Sequence, residues 1–261
     1  MNILNSIKKT IKYGEKYGGK LTKNQLFIRL IGNTIYSEDE INKIIEKNVE
    51  VKKKIVSEKK NTIKENKIKK AKILSSRISK KFKDVLFIGI TGSTAADYPK
   101  KNDDIDIMII TKNNKLWVTR FRIKIFIILN KIPHRKFGKK ENKDDFCFNL
   151  WLDEKSIGLK KEKQNLKNAI DILLIKPLFN KNNIYEKFLL SNTWVKRYTA
   201  TGYNEKTKKI TNVVLKEIRD IYLWKLINLI IFFVQFLYMK KRIKNETVGI
   251  HEAFFHRDMV K

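Results

Sequence analysis

Two carboxylates one residue apart, Asp104 and Asp106, open a β-branched run, and a Gly-Ser pair, Gly92 and Ser93, stands ten residues ahead of them. The whole stretch reads FIGITGSTAADYPKKNDDIDIMIIT, from Phe87 to Thr111. In a strand, successive side chains alternate faces, so Asp104 and Asp106 project from the same side with carboxylates roughly 7 Å apart along the strand. Two like charges set side by side in a sheet are costly unless a cation offsets them. A divalent metal ion shared or bridged by the pair would do so.

The turn before the acids adds a second chemistry. Thr91-Gly92-Ser93 lies between an expected strand, Val85–Ile90, and a helix expected to begin near Thr94. Glycine lets the backbone approach a ligand closely and adopt an unusual φ. The free amides at the start of a helix favour an anion such as phosphate, and the Ser93 hydroxyl can donate to a phosphate oxygen. Capping of the helix is an equally good role for Ser93, and the two are compatible.

The order apolar residue, Gly-Ser, spacer, Asp-apolar-Asp-apolar is carried here by Gly92, Ser93, Asp104, Ile105, Asp106 and Ile107. It resembles the nucleotidyltransferase superfamily that includes DNA polymerase beta. The longer run from Leu152 to Asp258, with NTWVKRY and HEAFFHRD, is similar to uncharacterised bacterial and archaeal proteins described as having a nucleotidyltransferase domain. The resemblance implies transfer of a nucleoside monophosphate from a nucleoside triphosphate, ATP included, to an acceptor hydroxyl. It further implies Mg²⁺ or Mn²⁺ on Asp104 and Asp106, and phosphates cradled by Gly92 and Ser93. The acceptor and the choice of nucleotide are not encoded in these motifs. Such proteins normally carry a third carboxylate on a later strand. Lining up CFNLWLDE, Cys147–Glu154, by its apolar pattern puts Asn149 at that position. Asparagine can ligate weakly or hydrogen-bond, but it is a poor base and carries no charge. Asp144, Asp145, Asp153 and Glu154 flank the strand as substitutes. Two readings follow: an active metal-dependent nucleotidyltransferase, or a catalytically decayed relative acting as a nucleic-acid-binding or regulatory module.

Taken alone, Asp-Ile-Asp in a Lys-rich chain reads as solvated partners of nearby lysines, with Asp103 and Asp104 capping a turn. The Gly-Ser pair and the flanking strand-like runs favour the site. The 261 residues carry 58 Lys plus Arg against 27 Asp plus Glu, a formal charge of +31. Such a field attracts polyanions. Yet the excess is mostly Lys, and Lys, Ile and Asn together are what an AT-rich genome imposes on any protein. Arg, the better reader of phosphates and bases, is scarce. Charge alone is therefore weak evidence for nucleic acid, which stays among the partners the sequence allows. Cys147 is the sole cysteine, which excludes an intrachain disulfide and a Cys-based zinc site, and its apolar strand suggests an inert core residue. The first residues, MNILNSIKKTIKYGEK, lack the apolar core of a secretory signal, so a cytoplasmic location is expected. LINLIIFFVQFLY, Leu226–Tyr238, is too short to span a bilayer, which needs about twenty residues. It is expected to be a buried core helix, with an interfacial helix anchored by Lys240, Lys241, Arg242 and Lys244 as the lesser alternative.

The elements that must position the acids divide the chain by texture. Residues 1–82 are helical. Thr22 reads as an N-cap, and Ser37 with Glu40 as a capping box, in a packing bundle or a helix-turn-helix. Residues 46–82, dense in Lys without Pro or Gly, read as one long solvated helix or a basic arm. Residues 83–155 are the nucleotidyltransferase core: strands Val85–Ile90, Ile105–Thr111 and Phe146–Leu152, with helix Trp117–Asn130 carrying Arg120, Arg122 and Lys124 as possible triphosphate contacts. Residues 156–261 read as a helical C-terminal domain ending in a helix from Val213 to Lys241 and a tail with His251 and His256. These histidines are spaced too far apart for a zinc-protease motif. They are expected at the surface beside packed Phe254 and Phe255. The expected fold is α+β, a small mixed β-sheet between helical N-terminal and C-terminal regions.

Overall fold

The computed structural model describes residues 2–17, 19–58, 60–136, 142–211, 213, 222–244 and 246–255. In chain order it holds α1 (Ile3–Tyr17), α2 (Lys23–Ile28), α3 (Glu38–Lys47), α4 (Val49–Lys54), α5 (Thr62–Lys81), β1 (Val85–Ile90), α6 (Gly92–Ala95), β2 (Ile105–Thr111), α7 (Leu116–Leu129), β3 (Phe146–Asp153), α8 (Leu166–Leu174), β4 (Lys176–Asn180), α9 (Ile184–Ser191), α10 (Lys196–Thr207), α11 (Tyr222–Lys240), β5 (Thr247–Val248) and β6 (Glu252–Phe254). The class is α+β with one mixed sheet, as expected from the sequence. The chain forms two compact units, each drawn from separate stretches.

One unit takes Met1–Thr62, Leu159–Ile175 and Leu189–Val213. Helices α2 and α3 start where the sequence says they should. The Thr22 and Ser37 side chains each accept a backbone N–H three residues on, and Gln25 and Glu40 reach back to complete both capping boxes. The apolar positions Ile7, Leu26, Ile41 and Ile45 are almost wholly buried where α1, α2 and α3 meet. These faces are thus spent on packing.

The single helix expected over 46–82 is two. Asn48 ends α3 and caps α4 through its side chain, and α4 stops at Lys54. Ile55 then leaves helical geometry to bridge Leu21, with the Val56 amide donating to the Leu21 carbonyl at 3.0 Å. No Pro or Gly is needed for this break, because a long-range backbone pairing supplies it. The second helix, α5, is not a solvated arm either. It buries Lys67, Ala71, Leu74, Ser75 and Ile78.

The other unit takes Ile63–Gly158, Lys176–Phe188 and Val214–Lys261. Its sheet has the order β4-β1-β2-β3-β6-β5. Strands β1 and β2 pair antiparallel, whereas β2 and β3 are parallel, so the chain must cross over between them through α7. Every residue of β1 and of β2 is buried, which is why both read as unbroken β-branched runs. Three strands lie in the C-terminal region that the sequence reads as mostly helical. Strand β4 carries a Pro and is an edge strand, and β5 and β6 are two and three residues long. Periodicity carries little signal over such lengths.

The expectation of a buried core helix at Leu226–Tyr238 is overturned. In α11 the buried residues are Asn228, Phe232, Gln235 and Met239, and the apolar remainder is largely exposed. Hydropathy marks residues that avoid water, but it does not say whether the chain supplies a surface to cover them. Here α7 covers one side only. The part of the final helix expected over 214–221, the break at Asn245 and the tail histidine His256 lie outside the described residues.

Candidate metal centre

The acidic pair sits at one end of the β2–β3 pairing. Asp106 is the second residue of β2 and Asp104 lies just before it, and both are buried. Parallel pairing sets Asp106 opposite Cys147. The ligand atoms of Asp104, Asp106 and Cys147 all lie within 4.8 Å of one another. That is tighter than the roughly 7 Å of an i, i+2 spacing in a strand. Asp104 stands outside the regular strand, so its side chain is free of the pleat and leans onto the same spot.

Asn149, the residue that the apolar pattern sets at the third-acid position, lies on β3. A register shift between Ile107 and Met108 of β2 leaves Asn149 as the extra residue of β3, and its side chain turns to Asp106. Its Nδ2 donates to Asp106 Oδ1 at 2.6 Å in a buried setting. Asn149 therefore presents an N–H to the carboxylate and supports Asp106. A metal ligand at that position would have to present oxygen.

Cys147, expected as an inert core residue, is only partly covered and lies beside the acidic pair. Its thiol faces Asp104 and Asp106. Burial first, then Asp106 and Asp104, push its pKa far above the ordinary thiol value, so it is a protonated neighbour at neutral pH. A second missed residue is Arg135. Its Nη1 donates to Asp104 Oδ2 at 3.1 Å and approaches Cys147 Sγ at 3.9 Å. The backbone of Arg135 is held by the Phe146 carbonyl at 3.0 Å. A scarce Arg beside the Pro-marked turn after α7 was the available signal. By contrast, Arg120 donates to Gln235 and lies over Phe255, and Arg122 faces Asp84. Neither is directed to the acidic pair.

The glycine turn meets the pair from the other side. The Thr91 amide donates to the Asp106 carbonyl at 3.0 Å, and Gly92 follows at φ +63°. A Cβ on Gly92 would fall deep inside the contact radius of Asp106 Oδ2. Only glycine fits, for both the left-handed φ and the closeness of the carboxylate. Helix α6 begins at Gly92 itself, two residues earlier than expected. Ser93 donates its hydroxyl to Asp103 Oδ2 at 2.8 Å, and the Lys100 amide reaches the same oxygen at 2.9 Å. Asp103 thus takes the turn-capping role. A phosphate at this turn would have to compete with Asp103 for the Ser93 hydroxyl.

The Gly92 geometry carries a prediction. Gly92→Ala should lower stability by about 1–2 kcal/mol from the left-handed backbone alone. It should also swing Asp106 off the pair. Thermal melting and metal titration together check this. An unchanged melt with unchanged metal affinity would show that Asp106 does not depend on the turn.

The four substitute acids have their own partners. Asp144 pairs with Lys67 and Lys70, both at 2.8 Å. Asp145 accepts from Asn142 at 3.0 Å, and Glu154 from the Asn113 amide at 3.0 Å. Asp153, fully buried at the far end of β3, accepts from the Asn114 and Lys155 amides and from His251 Nδ1 at 2.7 Å. His251 is therefore tied to a buried acid and is not the free surface histidine expected.

Two carboxylates suit a hard divalent ion such as Mg²⁺ or Mn²⁺, and the neutral thiol beside them is a poor ligand for it. The donor set fits an ion held by Asp104 and Asp106, with Arg135 and Asn149 orienting the two carboxylates. No family model, curated protein or solved structure matches this chain.

Proposed function

We propose that this protein is a metal-dependent nucleotidyltransferase, moving a nucleoside monophosphate from a nucleoside triphosphate to an acceptor hydroxyl. The observation that carries the reading is the convergence of two buried carboxylates next to a glycine turn that admits no side chain. Asp104 and Asp106 would hold Mg²⁺ or Mn²⁺, which offsets charge on the triphosphate when bound. Gly92 lets the Asp106 carboxylate lie against the turn, which would bring a triphosphate held by the ion next to the turn's backbone. Arg135, already on Asp104, is the cation placed to meet a triphosphate oxygen. The acceptor oxygen would form its bond to the α-phosphorus as the bond to pyrophosphate breaks.

A second reading has its own observation. Arg135 and Asn149 already donate to the two carboxylates, and a residue without charge stands where a third acid would be. That arrangement also suits a transferase fold kept for binding nucleic acid. Incubating the protein with each of four α-labelled triphosphates and Mg²⁺ or Mn²⁺ separates the two. The first reading expects pyrophosphate release that EDTA abolishes and added metal restores. No release with any nucleotide, together with polynucleotide affinity that falls steeply with salt, would replace it with the second.

A further inference from the structure

Helix α11 is built inside out. The stripe it packs on α7 holds two amides, Asn228 and Gln235, besides Phe232 and Met239. Asn228 Oδ1 accepts the Trp117 amide at 2.8 Å, and Gln235 Nε2 donates to the Trp117 carbonyl at 2.9 Å. The stripe left outside is apolar: Leu226, Ile230, Phe233, Val234 and Leu237, with Leu237 exposed by 67% and Ile230 by 55%. A helix folded for water alone would have these two faces exchanged.

Helix α7 extends the same surface. Phe121, Ile125, Ile128 and Leu129 are exposed on it. Phe121 and Ile128 stand three residues before and four after Lys124, on one helix face. Lys124 lies over the Tyr238 ring of α11 at 5.3 Å, so the two exposed stripes adjoin. Contiguous apolar area of this kind marks an interaction site.

Charge selects the occupant. Neither α7 nor α11 contains an acid, and they carry Arg122, Lys124, Lys225 and Lys240. Lys241, Arg242 and Lys244 follow directly. A second copy of this chain would bring the same positive charges face to face, in a protein of net charge +31. A bilayer with anionic headgroups turns the same residues into attraction, while its acyl boundary accepts the apolar stripe.

We propose that the joined outer face of α7 and α11 docks on an anionic lipid bilayer. The helices lie in the boundary between headgroups and acyl chains. One side of α11 stays on α7, so it lies along the bilayer and does not cross it. Tyr222 and Tyr238, exposed near the two ends of α11, sit at headgroup depth. The surface is separate from the acidic pair, and the proposal stands whether or not nucleotide is turned over.

Flotation of the full chain with vesicles of phosphatidylcholine, alone or mixed with phosphatidylglycerol, tests this. The protein should float with the mixed vesicles, not with neutral ones, and release as salt rises. Ile230→Asp with Phe233→Asp removes two exposed apolar side chains and should cut partitioning at least about a hundredfold. Lys240→Glu with Lys241→Glu should cut it at least about tenfold on mixed vesicles only. Circular dichroism of both variants should match the parent, because all four positions are exposed. Three results would overturn the proposal: no flotation with either vesicle, flotation indifferent to lipid charge, or a parent that sediments as a dimer which Ile230→Asp with Phe233→Asp dissolves.

Discussion

Asp106→Asn should lower metal-dependent nucleotide turnover about a thousandfold or more and leave the metal-free protein at least as stable as the parent. The first half follows from what the carboxylate is for. A bound divalent ion supplies several kcal/mol of charge stabilisation, and each 1.36 kcal/mol is a factor of ten in rate. The second half follows from the geometry. The carboxylates of Asp104 and Asp106 lie within 4.8 Å, and like charges at that separation repel by about 3.5 kcal/mol or more at an effective dielectric constant near 20. Arg135 on Asp104 cancels part of that repulsion. Asparagine keeps the shape of aspartate, and its carbonyl still accepts the N–H that Asn149 now gives Asp106. Melting with and without Mg²⁺ reads both halves at once. The parent should gain stability with metal and the variant should not. A variant that keeps full turnover, or gains as much from Mg²⁺ as the parent, would remove Asp106 from the centre.

Much of the scaffold for this pair was legible along the chain. Strands β1 and β2 begin and end where the β-branched runs do. The caps at Thr22 and Ser37 act within three residues of themselves, so local chemistry suffices to place them. Asn149 was reachable because β3 keeps its register against β2 to that point. What escaped was long-range. Arg135 meets Asp104 across 31 residues, and Lys67 meets Asp144 across 77. Among so many lysines no composition signal singles out Lys67 as buried. Cys147 looked like core because its strand is apolar, but the parallel pairing that turns its thiol to the acids is a property of the sheet. The exposure of α11 escaped for the converse reason, since burial needs a partner surface that sequence hydropathy does not count.

Lys67→Met, on α5, should be the single change that most destabilises the loop that carries the acids. Lys67 is 1% exposed, and its Nζ donates to the Asp103 carbonyl at 2.6 Å and to Asp144 Oδ1 at 2.8 Å. Those two contacts fix both sides of the site. Asp103 precedes Asp104, and the Asp144 amide returns to the Asp103 carbonyl at 3.0 Å. The next residue, Asp145, accepts the Ile105 amide at 2.8 Å, which seats the start of β2. Burial alone would raise the Asp144 carboxyl, but hydrogen bonds from Lys67 and Lys70 outweigh it and hold the pKa below the ordinary carboxylate value. Removing one partner of a buried pair costs about 3–5 kcal/mol. Lys70 keeps its own contact with Asp144, so the lower end, about 3 kcal/mol, is expected here. For a chain of this size that is a fall in melting temperature of roughly 6–12 °C. Lys70→Met supplies the contrast. Lys70 is half exposed, its pair is worth about 0–1 kcal/mol, and its loss should scarcely move the melt. Lys67→Met with Asp144→Asn removes both charges, keeps a residue that tolerates the left-handed backbone of φ +62° there, and should recover part of the loss. If Lys67→Met melts like Lys70→Met, the buried lysine does not hold the loop, and the placement of Asp104 must come from the sheet alone.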